Sequence, residues 1–146
     1  MNFGEDLSLQ LMLANKSYHQ YLFTVLKEID VYQHYQIILL LSRQGGRSTQ
    51  KFIGDTLLIE KSNMVAIIAA LEEKGYVYKT VNHKDRRSKL VSLTAKAQDT
   101  VGIMNNLFNV FEEQMAEDLT WQEMYNCIRV LNKVNGKLND MLVAGN

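Results

Sequence analysis

The chain is 146 residues long and 47% hydrophobic, which is enough for one domain with a hydrophobic core and excludes a disordered polypeptide. It contains no proline and only 8 glycines, which favours a mainly helical protein. The formal net charge is zero, so binding to a polyanion would have to rest on a local concentration of basic residues.

The N-terminal sequence and the cysteine content indicate an intracellular protein. Glu5 and Asp6 are acidic where a signal peptide would be basic, and the densest apolar run, residues 37–41, is too short to span a bilayer. The one cysteine, Cys127, cannot form an internal disulfide, and a buried structural thiol is its expected state. We expect a cytoplasmic protein with no membrane contact, no metal and no cofactor.

Apolar periodicity predicts two helices at the start of the chain. The first is a long amphipathic helix over residues 7–26, in which apolar residues recur every three or four positions. The second runs over about 32–43 and ends at a turn that contains Gly45 and Gly46.

A pair of short helices follows. Ser48 is expected to cap a helix that ends at 56 or 57, and after a brief turn residues 61–74 form another helix that stops at Gly75. Two short helices joined by a tight turn predict a helix-turn-helix.

The pattern then changes to that of a β-hairpin. Residues 76–81 and 89–93 are rich in β-branched and aromatic residues, and the polar loop 82–87 lies between them. Between positions 79 and 89 the one acidic residue is Asp85, and there are five basic residues: Lys79, Lys84, Arg86, Arg87 and Lys89. A helix pair followed by a basic hairpin is the layout of a winged helix, although a solvated hairpin tip remains the alternative.

Two long amphipathic helices complete the chain. Thr94 is expected to cap the first, and Thr120 with Glu123 matches a capping box that opens the second. We predict one domain over 1–146, in which residues 30–93 form the winged-helix lobe. Segments 1–29 and 94–146 form a helical dimerisation lobe whose apolar stripes are buried across a two-fold interface.

Two stretches of this sequence resemble the MarR (multiple antibiotic resistance regulator) family. Residues 71–77, Leu-Glu-Glu-Lys-Gly-Tyr-Val, are similar to the end of its recognition helix, and residues 85–94, Asp-Arg-Arg-Ser-Lys-Leu-Val-Ser-Leu-Thr, are similar to its wing signature. The resemblance implies a mainly α fold, a winged helix-turn-helix with a two-stranded β wing and long terminal dimerisation helices. It also implies a homodimeric, sequence-specific transcriptional regulator, a repressor, that binds a palindromic operator in double-stranded DNA.

The same resemblance assigns roles to the wing residues. Arg87 would enter the minor groove of DNA, whose negative potential attracts a guanidinium. Asp85 would pair with an arginine, as a bidentate carboxylate partner, and hold the wing in shape. Lys84, Arg86 and Lys89 would contact phosphates.

The recognition helix departs from the family pattern. The family usually has polar residues, often a Thr and an Arg, where this chain has Val65 and Ala66. Lys61, Ser62 and Asn63 are the side chains that can form hydrogen bonds in the major groove, although Ser62 or Asn63 fits a capping role equally well. Apolar side chains can also contact thymine methyl groups. A family member that has lost operator binding and acts through a partner protein is therefore the alternative function.

The family often binds small aromatic effectors in a cleft between the dimerisation helices and the DNA-binding lobe. The candidate cleft residues in this chain are Tyr18, His19, Tyr21, Tyr32 and His34. Packing into the core and interface is the alternative and the commoner fate of aromatic residues at helical spacing. An enzyme is not expected, because the histidines are scattered and no nucleophile or phosphate-loop motif is present.

Overall fold

The computed structural model describes residues 1–145, except for the side chain of Tyr32. The chain divides into two compact units, Met1–Asn105 and Asn106–Asn146, which are described separately. Within the described residues, no helix has the length and apolar character that crossing a membrane requires.

The first unit opens with a long helix, α1 (Phe3–Leu26). It begins four residues before the predicted start, because the Asn2 side chain caps it by accepting a hydrogen bond from the Glu5 N–H at 3.2 Å. A single 3-10 turn (Tyr32–His34) leads into α2 (Tyr35–Arg43). Together they cover the predicted second helix, which ends at two glycines with positive φ, +79° and +99°.

A short strand, β1 (Arg47–Thr49), follows α2 and was not predicted. Ser48 lies inside this strand, so its predicted role as a helix cap is wrong. Thr49 is the cap of α3 (Gln50–Leu57), and its Oγ1 accepts a hydrogen bond from the Phe52 N–H at 3.0 Å. Three residues are too few to show a strand periodicity, and β1 exists because it pairs with a strand far along the chain.

The predicted helix-turn-helix is formed by α3 and α4 (Lys61–Glu73). Leu58 turns the chain between them with φ +57°, a left-handed conformation that glycine adopts more easily. Gly54 allows α3 to lie close to α4: a Cβ at this position would stand 3.1 Å from the Ile59 carbonyl oxygen and 3.2 Å from the Met64 Cγ. The inner face of α4 is buried through Met64, Ile68 and Leu71.

The wing consists of β2 (Val77–Val81) and β3 (Lys89–Leu93), which pair antiparallel with Val77 opposite Leu93 and Val81 opposite Lys89. β1 pairs with the other edge of β3, so the sheet order is β1-β3-β2. The predicted fold class, a mainly α winged helix with long terminal helices, is confirmed. The difference is a third strand in the sheet.

Two long helices complete the chain, and both begin at predicted caps. α5 (Ala95–Met115) follows Thr94, whose Oγ1 accepts a hydrogen bond from the Ala97 N–H at 3.2 Å. α6 (Trp121–Ala144), in the second unit, opens with the complete capping box of Thr120 and Glu123. None of the residues of α6, all of them described, is buried. Cys127 is accordingly exposed, and the expectation of a buried thiol is wrong.

Candidate nucleic-acid interface

The N-terminus of α4 leaves its first side chains exposed. The cap position is Glu60, whose side chain forms no capping hydrogen bond in the described structure. Ser62 and Asn63 lie one and two residues inside the helix and are exposed, so neither is the N-cap residue. Lys61 lies beside them at the positive end of the helix dipole, an arrangement that favours an anion.

The wing loop is held by hydrogen bonds among its own residues. The Asn82 Nδ2 donates to the Ser88 Oγ at 3.0 Å, and the Asn82 Oδ1 accepts from the Lys84 N–H at 3.1 Å. One carboxylate oxygen of Asp85 accepts from the Arg87 backbone N–H at 3.0 Å and from its Nε at 3.3 Å. The expected pairing of Asp85 with an arginine is therefore present, through one carboxylate oxygen rather than through a bidentate fork. The Arg87 side chain stays 93% exposed.

A groove of about 700 Å³ lies between α3, the N-terminus of α4 and the wing. Its lining includes Lys61, Arg87 and Lys89 together with Asp85. The structure therefore brings together residues predicted from two separate segments of the sequence. Of the other described candidates, four are exposed but do not line the groove: Ser62, Asn63, Lys84 and Arg86.

Two groove residues on α3 were missed by the sequence analysis. Gln50 and Lys51 occupy the first turn of α3 and line the groove, where Lys51 forms an ion pair with Asp55. The signal available in the sequence was their position at the start of the first helix of the helix-turn-helix, since helix N-termini commonly contact phosphates.

A second cluster joins the loop after α1 to the start of the wing. The Tyr76 hydroxyl donates to the Asp30 carboxylate, and the Lys74 Nζ donates to the Asp30 carbonyl oxygen at 2.6 Å. The Lys96 Nζ donates to the Lys74 carbonyl oxygen at 2.7 Å and lies 4.4 Å from the centre of the Tyr76 ring. These contacts tie the C-terminal end of α4, where cations are favoured by the helix dipole, to the chain that leaves α1.

Burial and the hydrogen bond shift the pKa values of this pair in opposite directions. Burial first, and then the bond to Asp30, raises the pKa of Tyr76 to about 12. The hydrogen bond from Tyr76 lowers the pKa of Asp30. The contact therefore favours the neutral tyrosine and the ionised carboxylate.

Three of the candidate effector residues belong to α1: Tyr18, His19 and Tyr21. Burial, and then the neighbouring Tyr35 and Tyr21, raise the pKa of Tyr18, so each of the two lies near Tyr18. His19 is exposed and lines a shallow depression on the surface of α1.

The remaining candidate residues belong to the 3-10 turn. Burial first, and then the charge of Lys74, lowers the pKa of His34, so the neutral imidazole is favoured there. The side chain of Tyr32 lies outside the part of the structure that is described.

Comparison with known proteins identifies the domain that carries these residues. Residues 32–97 match the family model of the winged helix DNA-binding domain. Over 112 residues, the chain is 28% identical to the HTH-type transcriptional regulator SarZ of Staphylococcus saprophyticus, an alignment that spans 74% of each protein.

Solved structures give the same architecture. A cysteine-to-serine mutant of MarR from E. coli, complexed with operator DNA, matches with a TM-score of 0.76 at 20% identity over 92% of this chain and 98% of MarR. This chain has the winged-helix fold of MarR. The organohalide-sensing transcriptional regulator RdhR, solved in its 2,4-dichlorophenol-bound form, also has a similar fold. Its TM-score is 0.79 at 21% identity over 94% of this chain and 82% of RdhR.

These similarities decide the class of function. The matched domain is a DNA-binding domain, and the relatives are transcriptional regulators. They agree with the prediction of a DNA-binding regulator rather than an enzyme. They favour a regulator over the alternative of a partner-binding protein without operator affinity.

Proposed function

We propose that this protein is a cytoplasmic, homodimeric transcriptional repressor of the MarR type that binds a palindromic operator in double-stranded DNA. The observation that carries the proposal is the groove between α4 and the wing, where Lys61, Arg87 and Lys89 converge from two segments of the chain. The N-terminal turn of α4 suits the major groove, and the exposed Arg87 suits the adjacent minor groove.

The other candidate residues take supporting roles in this proposal. Lys84 and Arg86, exposed on the wing loop, contact phosphates beside Arg87. Ser62 and Asn63 hydrogen-bond in the major groove from the first turn of α4. Asp85 fixes the backbone of the loop next to Arg87, so that the guanidinium is positioned before DNA arrives.

A homodimer accounts for apolar surface that a single chain leaves exposed. Large apolar residues are exposed along α1 and α6, among them Phe3, Leu9, Met12, Trp121, Ile128 and Leu142. Many large apolar side chains exposed on one helix mark an interaction site. A two-fold dimer would also present two copies of α4 to successive major grooves, about 34–36 Å apart, which is the reason for a palindromic operator.

The test is a selection of fragmented genomic DNA on the purified protein at two salt concentrations. We expect enrichment of one palindromic sequence whose binding weakens steeply as salt rises, because each neutralised phosphate releases a counterion. Transcription from the enriched promoter should then fall when the protein is added. Weak, unselective binding would contradict the proposal and leave partner binding as the function.

We further propose that a small aromatic effector releases the protein from DNA by favouring one of two conformations. RdhR, solved with 2,4-dichlorophenol, supports this ligand class, and the grouping of Tyr18, Tyr21 and Tyr35 supports an aromatic site. The test is a titration of the operator complex with 2,4-dichlorophenol and related phenols, followed by fluorescence anisotropy. Tyr18→Ala should lose the response, whereas Lys16→Ala, at an exposed position of α1, should keep it.

A further inference from the structure

From Ser62 to Ala69, the outward face of α4 is almost entirely apolar, and the exposed Glu73 ends it. Met64, Ile68 and Leu71 are buried on one side of the helix. The exposed residues at the helical spacing of the opposite side are Ser62, Val65, Ala66 and Ala69. Val65 is 53% exposed although nothing in its chemistry favours water. Up to Ala69, Ser62 offers the one hydroxyl on this face and the other side chains end in methyl groups.

The basic residues beside this apolar face indicate which partner covers it. Lys61, Arg87 and Lys89 lie around the adjoining groove, so the chemistry beside the methyl groups is that of a phosphate-binding surface. Resting on the proposed function, the occupant of the face is the floor of the DNA major groove. The thymine C5-methyl is the apolar group that base pairs present there, whereas G·C pairs have no methyl group and present mainly hydrogen-bonding groups. Covering those groups with Val65 or Ala66 would leave them without a partner.

We propose that Val65 and Ala66 read thymine methyl groups, so that apolar contact determines the base specificity of this protein. These two residues lie in the second turn of α4, within the N-terminal part that a recognition helix inserts into the groove. Each operator half-site accordingly carries thymines at the contacted positions. Affinity depends on their C5-methyl groups and not on hydrogen bonds to their edges.

The experiment uses the operator obtained by the genomic selection. Each thymine of one half-site is replaced singly by deoxyuridine, which keeps the base pair and its O4 and lacks only the methyl group. We expect a loss of affinity of about fourfold at one or two positions, the effect of exposing one buried methyl-sized group. Elsewhere in the half-site the replacement should have no effect.

Two variants then assign the contact to α4. In Val65→Ala the deoxyuridine penalty at the contacted position should disappear, because the partner of the methyl group is gone. The control Val130→Ala, at an exposed valine of α6, should keep the full penalty. Both substitutions are at exposed positions, and the deoxyuridine scan of the parent protein is informative without them.

The outcomes separate this inference from the proposed function. An operator that binds equally well with deoxyuridine at every position would overturn methyl reading and leave the regulator intact. A penalty that persists in both Val65→Ala and Ala66→Gly would overturn the assignment to these residues. Failure to select any operator would overturn the proposed function and this inference together.

Discussion

Arg87 projects from the wing tip while its backbone is fixed by the Asp85 carboxylate. An ion pair this exposed contributes little to stability, so Arg87→Ala should leave the melting temperature unchanged. Operator affinity should nevertheless fall by about tenfold or more, because a minor-groove contact is removed. Fluorescence anisotropy and thermal denaturation measure the two effects. Lys16→Ala, an exposed lysine of α1, is the control, and unchanged binding of Arg87→Ala would remove the wing from the interface.

Tyr76 and Asp30 form a contact whose contribution depends on pH. Tyr76→Phe removes the hydrogen bond and should lower the free energy of unfolding at pH 7 by about 1 kcal/mol. The lowered pKa of Asp30 stabilises the fold above the usual aspartate value of 3.8, and this contribution is lost as pH falls through the folded pKa. The deficit of Tyr76→Phe should therefore shrink in acid, as measured by urea denaturation at several pH values.

The contact between Tyr76 and Asp30 should also make stability depend on pH in the alkaline range. The pKa of Tyr76 is raised from 10.0 to about 12, so its contribution is complete below pH 10 and is lost as pH rises towards 12. Urea denaturation across this range should show the loss in the parent protein and a smaller loss in Tyr76→Phe. Parallel curves for the two proteins would show that the contact does not couple to stability.

At the scale of elements, the packing of α3 against α4 depends on Gly54. Gly54→Ala would place a methyl group 3.1 Å from the Ile59 carbonyl oxygen, which belongs to backbone and cannot easily move. We expect a loss of roughly 1–3 kcal/mol in the free energy of unfolding, the usual effect of overpacking. Gly102→Ala in α5 is the matched control, because its Cβ would meet nothing within 4 Å.

The control should move in the opposite direction. Alanine is favoured over glycine inside a helix, so Gly102→Ala should stabilise the protein by about 0.5–1 kcal/mol. Urea denaturation measures both substitutions, and operator binding should weaken in Gly54→Ala alone because the recognition helix must shift. Equal effects of the two substitutions would contradict the close approach of α3 and α4.

For the whole molecule, the proposed dimer depends on apolar surface along α6. Trp121, Tyr125, Ile128, Leu138 and Leu142 recur at helical spacing, and all are exposed in the single chain. We expect sedimentation at micromolar concentration to show a dimer. Ile128→Glu should yield a monomer, because a charge would be buried in the interface. Its operator affinity should fall roughly a hundredfold, because a second protomer no longer contacts the other half-site.

Lys137→Glu tests whether any added charge has this effect. Lys137 lies on the opposite side of α6 from Ile128 by helical spacing, and it is exposed. This variant should remain dimeric and keep its operator affinity. A monomeric parent protein, or dissociation of both variants, would contradict the proposed interface.

Much of the fold was predictable because its determinants are local in the sequence. The long helices, the hairpin and the stop at Gly75 follow from periodicity and from residues a few positions apart. The caps at Thr94 and Thr120 bond to backbone three residues away, so their patterns are visible in the sequence. The basic residues of the wing tip were visible for the same reason.

The tertiary structure decided what depends on distant residues. β1 forms only because Arg47 meets Ser92, and the Asp30 contact joins residues 46 positions apart. The close approach at Gly54 and the convergence of Lys61 with Arg87 likewise require the chain to be folded. Local sequence therefore determined which elements form and which residues carry charge. Only packing between elements determined where those residues meet, because such contacts have no periodicity in the chain.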